Sequence, residues 1–178
     1  KKLFSSQLEL KQYFPKNGWV EHNPEEIWRS TLKVTRNVIK KCNSSNTKIL
    51  TIGITNQRET TVAWNKKTGE PIYNAIVWQD RRTKDICENL KKKKLENFFR
   101  RKTGLFIDPY FSATKLKWIL ENIKKSKKLL KNNNLLFGTI DTFLIWKLTN
   151  KQKHLTDATN ASRTMMYNIN NNKWDNEI

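Results

Sequence analysis

Glycine and cysteine are scarce in this chain of 178 residues, with five of the first and two of the second. None of the glycines stands in the repeated spacing that builds a phosphate-cradling loop. Cys42 and Cys87 lie far apart on segments that read as helices, and neither has metal-ligand spacing. A disulfide framework and a zinc site are therefore not expected, and reduced thiols fit an intracellular protein. His22 and His154 have no second ligand nearby in sequence and read as structural. No apolar run is long enough to span a bilayer, so no membrane partner is expected. No secretory leader is visible, but a first residue of lysine leaves the natural start open.

Acidic residues are also few, 16 against 35 Lys plus Arg, for a formal charge of +19. Such an excess by itself suggests a polyanionic partner. The excess is mainly lysine, in runs such as Lys91 to Lys94 and Lys124 to Lys128, beside asparagine runs such as Asn132 to Asn134 and Asn170 to Asn172. Both amino acids have A/T-rich codons, so genome composition accounts for them on tolerant surfaces. The basic runs lack the interleaved aromatics that stack bases. A nucleic-acid partner is not expected, and a basic polyanion-binding fragment is the alternative. The apolar fraction of 37%, with seven tryptophans and eight phenylalanines, is enough for a globular core.

Along the chain, Leu3 to Phe14 reads as a strand broken by Pro15-Lys16-Asn17-Gly18. Asn23 is a helix cap, with Pro24 at the first position and Glu26 three residues on, as in a capping box. Ile27, Thr31, Val34, Val38 and Cys42 follow at helical spacing, and Asn43 to Asn46 ends the helix. Ile49 to Thr55 suits a strand buried on both faces. Thr60 to Trp64, the turn Asn65 to Pro71 and Ile72 to Trp78 make a hairpin. Gln79 to Arg101 reads as one helix with Gly104 as its stop, Asp108 to Phe111 as a loop, and Ser112 as the cap of the next helix. Leu116, Ile119, Leu120 and Ile123 form that helix's apolar face. Leu135 to Phe137 reads as a strand, Thr139 to Leu148 as a helix, and Thr156 to Met166 as a polar loop. Trp118 and Trp146 fall on apolar helix faces and belong to the core. Strands alternating with helices predict an α/β domain with a partly parallel sheet.

One stretch resists this pattern. In Gly53 to Trp64, GITNQRETTVAW, the charges of Arg58 and Glu59 stand side by side between strand-like runs, and a continuous strand would send one of them into the core. If the strand ends near Gln57 and the backbone turns, both can face one cleft. The hairpin's return strand then delivers Trp78 near them. Read from the residues alone, the pair is either a surface ion pair or a binding site, Trp78 is core or ligand wall, and Tyr110 is ambiguous.

Several segments in order resemble one family. They are Pro15 to His22, GITNQRETTVAW, Pro71 to Arg82, Thr103-Gly104-Leu105, Asp108 to Lys115, Leu136 to Thr142 and Asp157 to Thr164. The chain resembles the FGGY carbohydrate kinases, which include glycerol, xylulose, gluconate and fucose kinases, and among them the glycerol kinases. Tyr110 to Asn122 fits the family's first signature, and the Arg58-Glu59-Thr60-Thr61 and Asp108 to Phe111 segments resemble glycerol kinases in particular. The resemblance implies part of a ribonuclease-H/actin-like ATPase-type domain with an inserted hairpin and helices. It implies that residues 1–178 are a partial N-terminal, substrate-side domain. It also implies a role for each matching residue: Arg58 and Glu59 bond the hydroxyls of glycerol, Tyr110 adds a polar contact, and Trp78 packs on the carbon chain. A carboxylate that only accepts and a guanidinium that only donates suit a triol, whose hydroxyls do both. The implied reaction is phosphoryl transfer from ATP with Mg2+ to glycerol, giving sn-glycerol 3-phosphate in glycerol catabolism, in a cytoplasmic, homo-oligomeric intact enzyme. The alternative substrate is another polyol or sugar. The family's phosphate-loop hairpin is expected before Lys1, and its catalytic Asp and nucleotide-binding second domain beyond Ile178. The fragment alone is then expected to be inactive.

Overall fold

The computed structural model describes residues 2–178. Strand β1 (Glu21–His22) is followed by the long helix α1 (Pro24–Ser44). The Asn23 side chain accepts from the backbone N–H groups of Glu25 and Glu26, which satisfies two free donors of the first turn. The reciprocal half of a capping box is absent, because the Glu26 carboxylate accepts instead from the Tyr13 hydroxyl at 2.7 Å. Asn23→Ala is expected to destabilise the fold by about 1 kcal/mol, read as a lower midpoint in chemical denaturation; an unchanged midpoint would show that the cap is replaceable by water.

The hairpin forms as the sequence suggests, but most of its length is irregular. Strand β2 (Val62–Asn65) and strand β3 (Ala75–Ile76) are joined through single bridges, Thr61 to Ile76 and Trp64 to Pro71. The turn between them needs Gly69, whose φ of 77° is left-handed. Strand β3 pairs with β1, and β2 pairs with β4 (Leu135–Gly138) in the register Val62 to Gly138 through Asn65 to Leu135. Every ladder among the described residues is antiparallel, which corrects the expectation of a partly parallel sheet.

A second correction concerns Ile49 to Thr55. These residues form no regular strand; Leu50 is 83% and Ile52 66% exposed. A strand is stable only when a neighbour pairs its N–H and C=O groups, and no described segment lies in register beside this one. The strand buried on both faces is β2 instead. Val62 and Trp64 pack into one core cluster with Ile27, Phe143 and Trp146, whereas Ala63 joins Ile76 and Ile119 in another. Alternation along β2 thus serves two cores at once. Of the segment Leu3 to Phe14, only Tyr13 pairs, with Glu21.

The single helix predicted over Gln79 to Arg101 is two, α2 (Lys84–Lys92) and α3 (Glu96–Thr103). Between them Lys94 adopts a φ of 59°, incompatible with helix. Gly104 ends α3 in a left-handed cap, as its position implies. Helix α4 (Ser112–Asn122) leads to α5 (Lys124–Lys131), where the lysine run turns out to be helical with its lysines exposed. Helix α6 (Ile140–Leu148) follows β4, and its Trp146 is core, while Trp118 on α4 is partly buried. The supposed polar loop after Thr156 contains a short helix α7 (Ala158–Ser162), capped by Asp157, and then strands β5 (Tyr167–Asn168) and β6 (Lys173–Trp174). Met165 beyond α7 is fully buried with Cys87, Phe99, Ile107 and Phe111. Both cysteines are buried and free, and burial pushes the Cys87 thiol up to about 11. No helix of the described residues is long and apolar enough to cross a membrane.

Candidate functional site

The awkward charges sit in a turn. The Thr60 N–H donates to the Gln57 carbonyl at 3.1 Å, so Arg58 and Glu59 are the two central residues of a four-residue reversal just before β2. The turn sends the two side chains apart. Arg58 is exposed, whereas Glu59 is 3% exposed. Glu59 does not pair with its neighbour: its Oε1 accepts from Arg163 Nε at 2.7 Å, which leaves Oε2 without a protein partner among the described residues. Its backbone carbonyl is held by the Ser112 hydroxyl at 3.2 Å. Ser112 was expected to cap α4; Phe111 occupies the cap position, and the serine hydroxyl is spent on the Glu59 turn instead.

Trp78 reaches the same neighbourhood through the hairpin. Thr61 and Ile76 exchange both backbone hydrogen bonds, at 2.9 and 3.0 Å, so two residues further out Glu59 and Trp78 flank the hairpin's open end. The Trp78 ring lies edge-on to Tyr110, with centroids 5.4 Å apart. Arg163 closes the circle, its guanidinium 5.6 Å from the Tyr110 ring and 4.9 Å from Phe111. The structure therefore brings Glu59, Trp78 and Tyr110 together through Arg163, and leaves Arg58 at the solvent edge.

Arg163 is absent from the residues singled out by sequence. Its signal is faint: it is a lone arginine in a stretch whose positive charge is otherwise lysine, and a planar guanidinium serves directional pairing where an ammonium serves as a point charge. Its position is fixed by α7 and by the backbone bond from Ala113 N–H to the Thr164 carbonyl at 2.8 Å.

Behind Trp78 stands a rigid support. The Arg82 side chain is wholly buried, stacked 3.8 Å from the Trp19 ring and 4.7 Å from Trp118. Its Nη2 meets Glu21 at 2.7 Å and Asp80 at 2.8 Å, and its Nε meets the other Asp80 oxygen at 2.9 Å. Asp80 also accepts from the Val20 N–H at 2.6 Å. This cluster ties β1 to the segment that follows Trp78.

The arrangement offers the kind of groups that a small polyhydroxy compound would pair with. A buried carboxylate with one oxygen anchored and one free accepts a hydroxyl in a defined direction, and the Trp78 and Tyr110 rings cover a C–H face. Among the described residues no group of three or more His, Cys, Asp or Glu is placed to hold a metal ion, and the glycines that take a left-handed φ, Gly18, Gly69 and Gly104, lie far apart in the sequence.

Residues 1–178 match the family described as "FGGY family of carbohydrate kinases, N-terminal domain". The chain is 59% identical over 172 residues to a glycerol kinase of Sinorhizobium fredii, covering 97% of this chain and 35% of that protein. It is 57% identical over 174 residues to a glycerol kinase of Bacillus subtilis, covering 98% of this chain and 35% of that protein. Thus the chain spans about a third of the length of these curated relatives. In structure it resembles Plasmodium falciparum glycerol kinase solved with ADP, at a TM-score of 0.92 and 38% identity over 96% of this chain and 34% of that one. It also resembles a gluconate kinase from Lactobacillus acidophilus, at a TM-score of 0.86 and 26% identity over 99% of this chain and 34% of that one. An α/β arrangement, a polar site at the open end of a hairpin and a match over its whole length all agree: the chain belongs to the FGGY family of carbohydrate kinases, to whose N-terminal domain its residues 1–178 correspond.

Proposed function

We propose that this chain is the substrate-recognising part of a glycerol kinase, which transfers the terminal phosphoryl group of ATP to glycerol. The observation that carries the reading is the buried Glu59 carboxylate, held at one oxygen by Arg163 and free at the other, beside the Trp78 and Tyr110 rings. In this reading Glu59 Oε2 accepts a hydrogen bond from a glycerol hydroxyl and Trp78 covers the carbon chain. Tyr110 offers a further hydroxyl contact, and Arg58 swings in from the solvent edge to donate to the oxygens. Charged hydrogen bonds of this kind contribute roughly 1.5–3 kcal/mol each. They orient the substrate, and an analogue lacking a hydroxyl leaves the carboxylate unpaired and is rejected. The ADP in the Plasmodium relative supports a nucleotide donor, and the proposed counterion of its phosphates is Mg2+. Both would be held by parts of the intact protein outside this chain: a phosphate-loop hairpin before it and a second domain after it. Identity of 38% to the Plasmodium glycerol kinase structure, against 26% to the gluconate kinase structure, favours glycerol over a sugar acid.

The test is glycerol-dependent ADP release by the intact protein. Glycerol is expected to outperform xylulose and gluconate, and Arg58→Ala is expected to raise the glycerol KM about tenfold, the worth of one charged hydrogen bond. A better rate with either sugar substrate overturns the assignment to glycerol, and an unchanged KM in Arg58→Ala removes Arg58 from the site.

A further inference from the structure

Lys115, in the first turn of α4, is wholly buried at 0% exposure. An ammonium has three donors and no acceptor. All three are used on consecutive backbone carbonyls: Pro109 at 2.7 Å, Tyr110 at 2.5 Å and Phe111 at 3.1 Å. This is an uncommon place for a lysine. Its charge is met by carbonyl oxygens rather than by a touching carboxylate, and it lies at a helix N-terminus, where the macrodipole disfavours a cation. A local arrangement that works against both burial and dipole points to a task at the segment it holds.

That segment carries Tyr110, whose ring meets Trp78 and Arg163. Resting on the glycerol-kinase reading above, we propose that Lys115 is a positioning residue for the substrate site: by gathering the carbonyls of residues 109–111 it holds the Tyr110 ring where Trp78 and Arg163 meet it. Lys115 touches no substrate itself and acts through the loop.

Burial pulls the Lys115 pKa down to about 7, opposed by the charges of Asp80, Glu59 and Asp108 from the three neighbouring segments. Cys87 on α2 also faces it, but a thiol pushed up to about 11 adds no charge near neutrality. Through neutral pH the group therefore passes from three donors to two, and one loop carbonyl is released. Stability responds in the opposite sense. With its folded pKa below the unfolded one, the unfolded chain binds more protons between about pH 7 and the ordinary lysine value near 10.4, so this group makes the fold more stable as pH rises there. A positioning role thus separates from a structural one, because glycerol affinity falls with pH while the contribution of this group to stability grows.

The experiment uses the intact protein and calorimetric titration with glycerol in the absence of nucleotide, from about pH 6 to about pH 8. The wild type must first release ADP in response to glycerol; if it does not, the glycerol-kinase reading fails, not the role of Lys115. Given that activity, the wild-type glycerol Kd is expected to rise about threefold across neutrality. Lys115→Arg, which stays charged, should lose this inflection, and Lys115→Met should weaken glycerol about tenfold at every pH, in line with lost charged hydrogen bonds. A wild-type Kd flat through neutrality overturns the proposal on its own, whether or not the variants fold. So does an unchanged Kd in a folded Lys115→Met, or an inflection that persists in Lys115→Arg.

Discussion

Glu59→Gln is expected to lower kcat/KM for glycerol in the intact protein about a hundredfold, with most of the loss in KM. Glutamine keeps the size and one carbonyl oxygen but loses the charge. Two interactions weaken together: the bond from Arg163, 2.7 Å in the native arrangement, and the proposed bond to a glycerol hydroxyl at Oε2. A hydrogen bond to a charged group is worth roughly 1.5–3 kcal/mol, or about 10- to 150-fold in binding. The substitution also leaves Arg163, whose side chain is 27% exposed, without its carboxylate against the rings of Tyr110 and Phe111. Arg163→Lys serves as the partner measurement. Lysine keeps the charge but not the planar fork, so an intermediate loss is expected, and the double variant should lose less than the two singles combined because they act on one pair. Unchanged catalytic efficiency in Glu59→Gln would remove the carboxylate from the site.

The largest effect on folding is expected from Arg82→Met. The buried guanidinium neutralises Glu21 and Asp80 while lying between Trp19 and Trp118. Methionine fills part of the space and leaves two buried carboxylates facing each other. Removing one partner of a buried ion pair costs about 3–5 kcal/mol. The remaining donors soften this without cancelling it: Glu21 still accepts from the Tyr73 hydroxyl at 2.7 Å and Asn74 at 2.9 Å, and Asp80 from the Val20 N–H. The readout is the chemical-denaturation midpoint, which should fall clearly below that of Asn23→Ala. Adding Glu21→Gln to Arg82→Met should recover part of the loss, since it removes one of the stranded charges. A midpoint equal to the wild type would mean that the cluster is not the support it looks like. Because the same cluster anchors the segment after Trp78, glycerol KM should rise in Arg82→Met even where the protein remains folded.

These expectations depend on features that differ in how far local sequence reveals them. The Asn23 cap, the Gly104 stop, the Thr60 to Trp78 hairpin and the turn at Gln57 are all written in short-range chemistry. Each follows from a side chain that bonds its own backbone, from a residue that tolerates a left-handed φ, or from two charges that a continuous strand cannot hide. The motifs from Pro15 to Thr164 likewise carry the family, and with it the proposed substrate residues Arg58, Glu59, Trp78 and Tyr110. What short-range chemistry leaves undecided is which partner each group finds. Ile49 to Thr55 has the composition of a buried strand, yet is exposed, because a strand needs a neighbour that its own residues cannot supply. Glu59 turns from adjacent Arg58 to Arg163, 104 residues away, and Ser112 gives up a cap to hold the Glu59 carbonyl. Nothing next to Lys115 or Arg82 in the sequence shows that either is buried, and burial makes one a clamp on the Tyr110 loop and the other the centre of an ion cluster. Caps, stops, turns and the family motifs are thus legible from neighbouring residues, whereas strand pairing and the pairing and burial of charge are set by the fold, since those energies depend on distance and on exclusion of water between residues far apart in the chain.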